Sequence, residues 1–127
     1  MSAARAQTRY QVRFGFGVDE ANQIATGAHI LVWVDAIDSG GTDPLTIAYD
    51  GAIVAGTIGS RDAVAHWVVE RQHDLGDRAI IAVIAAGGPG GGFAVEDLVT
   101  AGSIIETLAG VGIDYASPEA AAAGGAW

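Results

Sequence analysis

Three carboxylates and a run of glycines are the residues of this chain whose types and spacing could do chemistry. Asp35 follows the apolar run ILVWV at 30–34, while Glu96 and Asp97 open a helical pattern that follows AIIAVIAA at 79–86 and the loop GGPGGG at 87–92. Acids placed beyond the carboxyl ends of parallel strands lie where open α/β sheets bind their ligands. Hard oxygen donors that leave room for water suit Mg2+. If the two strands are neighbours, Asp35, Glu96 and Asp97 meet at one rim as a metal site. A plainer reading stands beside this one, because acids in a first helical turn are favoured by the dipole without any function. Helical spacing separates the two: Glu96 shares a polar stripe with Thr100, Ser103 and Thr107, whereas Asp97 shares an apolar one with Ala101, Ile104 and Leu108. Asp97 is therefore expected on the core-facing side.

Strand, glycine-rich turn and helix in succession can receive an anion on main-chain N–H groups, which makes Gly87 and Gly88 candidate anion-binding residues. The nucleotide fingerprints are absent, however. A Walker loop needs a Gly-Lys pair and the chain has no Lys, and the dinucleotide pattern fails where Phe93 stands in place of its last glycine. Among the arginines, Arg61 is best placed to hold a phosphate, at a helix start beyond AIVAGT, with Arg13 and Arg71 as further candidates. Its alternative is simple solvation beside Asp62. His29, His66 and His73 have no metal-ligand spacing. Thr57, Ser39 and Ser60 are hydroxyls without a recognisable base or the G-x-S-x-G turn.

The elements that must position these residues follow from periodicity. Residues 10–16 alternate as a half-buried edge strand, and 18–26 read as a short helix stopped by Gly27. The continuous apolar runs at 30–34, 52–57 and 79–86 read as buried parallel strands. Ser60 is expected to cap a helix that Gly76 ends, and a second helix should run from about Ala94 to Leu108 with Gly110 as its stop. Ser117, Pro118 and Glu119 have the chemistry of the N-cap and first turn of a terminal helix. Fold class is thus α/β: a three-layer sandwich with a mainly parallel sheet.

Composition narrows the function classes. A chain of 127 residues, half of them hydrophobic, is read as a single domain, with 1–9 as a flexible tail. Its net charge of −9 disfavours nucleic acid and means that a small anionic ligand needs a local remedy. The absence of cysteine removes thiol chemistry and disulfides, and neither an export signal nor a membrane span is visible, so the cytoplasm is the expected compartment.

Several blocks together carry a family resemblance. IVAGTIGSRDAVAHWV, IIAVIAAG, FAVEDLVTAGSIIETL and IDYASPEAAAA resemble the C-terminal half of the 2-phosphosulfolactate phosphatase (ComB-like) family, and YQVRFGFGVDEA with ILVWVDAID resembles its opening. The chain looks like a shortened member lacking the central segments. The family's threonine-rich turn is represented by Asp38-Ser39-Gly40-Gly41-Thr42, and its Ala-Gly-Glu by Ala86-Gly87-Gly88. The resemblance implies Mg2+-dependent hydrolysis of a phosphate ester on a sulfonated three-carbon acid, in the route to coenzyme M or sulfolactate. It implies Asp35 and Asp97 as catalytic residues holding the metal, with Glu96 nearby. The alternative expectation is a non-catalytic relic serving as a binding module or a homodimer, the lost segments leaving surface to be covered. A third is anion sensing without turnover.

Overall fold

Among the described residues, four parallel strands form one sheet in the order β1-β4-β2-β3: β1 (Val12–Phe16), β2 (Ile30–Val34), β3 (Ala52–Gly56) and β4 (Ile81–Ala85). The computed structural model describes residues 6–37, 47–88 and 92–127. Among the described residues four helices accompany the strands: α1 (Gly17–Ile24), α2 (Arg61–Leu75), α3 (Val95–Gly110) and α4 (Pro118–Ala126). No helix among the described residues is long and apolar enough to cross a membrane.

Alternation along the strands builds two cores. Val12, Phe14, Ile30, Val32, Val34, Ile81, Val83 and Ala85 face Val64, Val68, Ala101, Ile104, Leu108 and Ala120, so α2, α3 and α4 cover one face. Leu31, Trp33, Ala82 and Ile84 face Ala21, Ile24 and Ile47, so α1 and the approach to β3 cover the other. β2 and β4, central and fully buried, are the strands whose unbroken apolar runs required cover on both faces. β3 departs from the buried strand that its sequence suggests. It is the last strand in the sheet and is exposed along most of its length, because an apolar run reports affinity for a sheet, not lateral position within it. β1 is an edge strand as read, yet it too is buried. Residues 113–117 cross its outer side, with a parallel bridge between Val12 and Ala116.

Gln7 completes that cover from within the segment read as a tail. It is 3% exposed; its Nε2 donates to Phe14 O at 2.8 Å, and its Oε1 accepts from Phe14 N at 3.0 Å and from Ser117 Oγ at 2.7 Å. Arg13, a candidate for steering anions, is likewise buried. Its guanidinium donates to the carbonyls of Thr8, Tyr10, Ile24 and Thr26, closing the C-terminal end of α1, and burial lowers its pKa.

Helix ends follow the local chemistry with two exceptions, Ser60 and Gly110: α3 runs through Gly110, which was expected to stop it, and the positive-φ glycine beyond its end is Gly112 at φ 90°. Gly76 ends α2 at φ 70°, a left-handed conformation suited to glycine, and its N–H meets Gln72 O and His73 O. Ser117 caps α4, its side chain accepting from Ala120 N ahead of Pro118 at N1. Ser60 precedes α2 without capping it; its Oγ instead accepts from Thr57 N at 2.9 Å within a tight turn. On α3 the polar stripe runs inward, with Thr100 and Ser103 buried. Thr100 Oγ1 donates to Glu96 O, Ser103 Oγ to Thr100 O and Thr107 Oγ1 to Ser103 O, so the hydroxyls are satisfied inside their own helix. α4 lies so close to α3 that a Cβ on Gly102 would collide with the Ala123 carbonyl.

Candidate functional site at the carboxyl edge of the sheet

Because all four strands are parallel, their carboxyl ends share one edge, and α3 begins there after β4. The connection after β4 leads to α3 on one face, whereas the chain after β2 packs Ile47 against the opposite face. Between β2 and β4 the connections therefore diverge, which is where open α/β sheets form a ligand crevice.

Asp97 bridges that crevice. It is 1% exposed, as the apolar stripe it shares with Ala101, Ile104 and Leu108 requires. Its Oδ1 accepts from Ala36 N and its Oδ2 from Gly87 N, each at 2.8 Å. One carboxylate thus ties the chain leaving β2 to the chain leaving β4 from the first turn of α3. Gly87 adopts φ 78°, a conformation costly for any residue with a Cβ, and this backbone turn accompanies its N–H donation to Asp97.

The other candidates take different positions around this tie. Asp35 is half-buried directly after β2, one residue before the Ala36 N–H that Asp97 accepts. Glu96 is exposed in the first turn of α3. Gly88 N donates to Gly92 O at 2.9 Å. Thus the N–H groups of both Gly87 and Gly88 already have acceptors within the protein. Arg61, at the start of α2 after β3, donates to Ile58 O at 2.8 Å and lies over the Trp127 ring at 5.5 Å. Arg71 stacks on Trp67 and pairs with Asp74. His29 Nδ1 accepts from Ile80 N, and His66 meets Glu70 on the surface of α2. The turn at 38–42 and the centre of the glycine loop, 89–91, lie outside the described residues.

Two features of this edge have no counterpart in the sequence reading. Main-chain N–H groups at Ala36 and Gly87 converge on a single anionic group, which no side-chain motif could announce. Phe93 is 69% exposed and its ring lies 5.5 Å from that of Phe16, which in turn packs edge-on against Phe14. Phe16 and Phe93 therefore form an aromatic pair at the ends of β1 and β4. The exposed Phe directly after a glycine run was its only sequence signal.

Carboxylate oxygens are the donor type that Mg2+ takes. Among the described residues no group of three or more His, Asp or Glu is gathered closely enough to hold a metal ion. Mg2+ is commonly held by one or two carboxylates, with water and substrate phosphate completing its shell. By donor chemistry, Asp35 and Glu96 suit that arrangement. Asp97, with both oxygens already accepting N–H groups, suits the role of holding the two loops in place.

Neither a scan of protein-family models nor a search of curated proteins returned a match to this chain. The fold itself defines the class: an α/β protein whose described residues form a four-stranded parallel sheet with helices on both faces.

Proposed function

We propose that this chain is a shortened, ComB-like member of the 2-phosphosulfolactate phosphatase type, and that the carboxyl edge of its sheet binds a small phosphorylated or sulfonated acid together with Mg2+. The observation that supports this reading is the Asp97 bridge. It draws the chain just after Asp35 and the first turn of α3, with Glu96, to one rim. An anion entering a chain of net charge −9 beside these acids needs a cation to accompany it. Asp35 and Glu96 are the residues that would hold Mg2+, and Asp97 is the positioning residue that fixes the loops around it. When bound, the metal supplies charge neutralisation at the phosphoryl oxygens and a place to orient water. The first turn of α3 adds the positive end of its dipole. Hydrolysis would replace the ester P–O bond with a bond to the water oxygen, releasing phosphate and the free alcohol of the sulfonated acid.

A second reading, a non-catalytic binding or assembly module, is favoured by the same carboxylate seen differently. With both oxygens satisfied by main-chain N–H groups, Asp97 meets every requirement of a structural tie. Phosphate release from 2-phosphosulfolactate and from a generic phosphomonoester, with and without Mg2+, separates the two. The enzyme reading expects Mg2+-dependent turnover that Asp35→Asn abolishes, and the module reading expects none.

A further inference from the structure

The two edges of the sheet are finished differently. Beyond β1, Ser117 N donates to Val12 O at 2.9 Å, Val12 N donates to Tyr115 O at 3.1 Å, and the Gln7 amide engages both main-chain groups of Phe14. Beyond β3, no strand or bridge is present among the described residues. Open edges are usually guarded by charge, proline or a bulge. This one has none of these: residues 51–60, GAIVAGTIGS, carry no charged side chain and no proline in a chain of net charge −9. Ile53 is 36% exposed there, on the sheet face that α1 covers only farther in.

We propose that β3 is the docking edge for a second copy of this chain, pairing antiparallel about a two-fold axis through Val54 so that two four-stranded sheets become one. A second copy is the occupant that this stretch suits, because an uncharged segment of an acidic chain can face itself without opposing like charges. A symmetric antiparallel pair has a residue at its centre, and with Val54 there the long Ile53 lies opposite the small Ala55 of the other copy. Ala52 then faces Gly56, Gly51 faces Thr57, and Asp50 faces Ile58. The long Ile53 meets a small side chain, and no carboxylate faces its own copy, which would be destabilising in directly opposed positions. Two acidic chains thus approach through the stretch where neither carries charge, in the closed symmetry usual for homodimers. This proposal rests on the sheet alone and holds whichever reading of the carboxyl edge is right.

The chain contains no cysteine, so one introduced thiol reports the contact. Facing Cα atoms across an antiparallel pair lie about 4.5–5.5 Å apart, within the roughly 4.4–6.8 Å that a disulfide spans. Under mild oxidation Val54→Cys should cross-link into a covalent dimer in high yield, while Ala63→Cys, exposed on α2, should not. Light scattering of the unmodified chain should give twice the chain mass, and Ile53→Lys should give a monomer with an unchanged circular dichroism spectrum. A chain that stays monomeric at high micromolar concentration would overturn the proposal. So would a dimer that survives Ile53→Lys, or cross-linking no greater at residue 54 than at residue 63. All these measurements are made without ligand, so a failed phosphatase assay leaves them untouched.

Discussion

Replacing Asp97 tests how the carboxyl edge is held together. In Asp97→Ala, Ala36 and Gly87 each lose an acceptor that sits 2.8 Å away on a charged group. Hydrogen bonds to charged groups contribute about 1.5–3 kcal/mol each. Ala36 is exposed and its freed N–H can be hydrated, whereas Gly87 is buried and loses more. The sum is a loss of about 4 kcal/mol, a large part of the roughly 5–15 kcal/mol that stabilises a domain. With a urea m-value of about 2 kcal/mol/M, the unfolding midpoint falls by about 2 M. Asp97→Asn keeps one acceptor but turns an NH2 group toward the other N–H, so it should fall between wild type and Asp97→Ala. Formate, which supplies the missing carboxylate, should restore part of the midpoint in Asp97→Ala and leave wild type unmoved. Glu96→Ala, one residue away but exposed, should stay within about 0.5 kcal/mol of wild type. A loss below about 1 kcal/mol for Asp97→Ala, or a loss no greater than that of Glu96→Ala, would refute the bridge as the tie between β2 and β4.

Gly102→Ala should destabilise by about 2 kcal/mol, because the added methyl group collides with the Ala123 carbonyl and pries α4 from α3; Gly110→Ala, which meets open space at the end of the same helix, is the matched control in urea unfolding. Tyr49 gives a pH dependence. Burial, and then the Asp50 carboxylate, raises its phenol above the ordinary 10.0, and its Oη donates to Ala28 O at 3.0 Å. The unfolded chain ionises first, so this contribution is complete below about pH 10 and is lost as pH rises through the higher folded value. Urea midpoints measured from pH 9 to 12 should fall more steeply for wild type than for Tyr49→Phe; parallel curves would contradict it.

Much of the frame was legible because each signal had a single physical cause. ILVWV coincides with β2 residue for residue, since five consecutive apolar side chains need cover on both faces. Gly76 and the Ser117-Pro118 pair marked helix ends through backbone conformation and capping chemistry alone. The inward direction of Asp97 followed from its helical neighbours. What it touches did not, because its partners are the main-chain N–H groups of residues 61 and 10 positions away. The exposure of β3 was hidden because small apolar residues suit an edge as well as a centre. Thr100 and Ser103 misled in the opposite sense: polar residues at helical spacing suggest a solvated face, but a hydroxyl that donates to its own helix can be buried at little cost. Gln7 had no local signal at all, since its three partners are brought to it by β1 and by the start of α4.

The proposed function is tested most directly by the thermal stability of the purified chain with Mg2+, inorganic phosphate and 2-phosphosulfolactate, alone and in combination, followed by phosphate release in the same samples. Ligand at a hundredfold excess over its Kd stabilises by about 2.7 kcal/mol. The expected result is a saturable rise in Tm that needs metal and anion together, accompanied by phosphate release, with both lost in Asp35→Asn. An unchanged Tm in every combination, with no phosphate released, would contradict a ligand site at the carboxyl edge of the sheet.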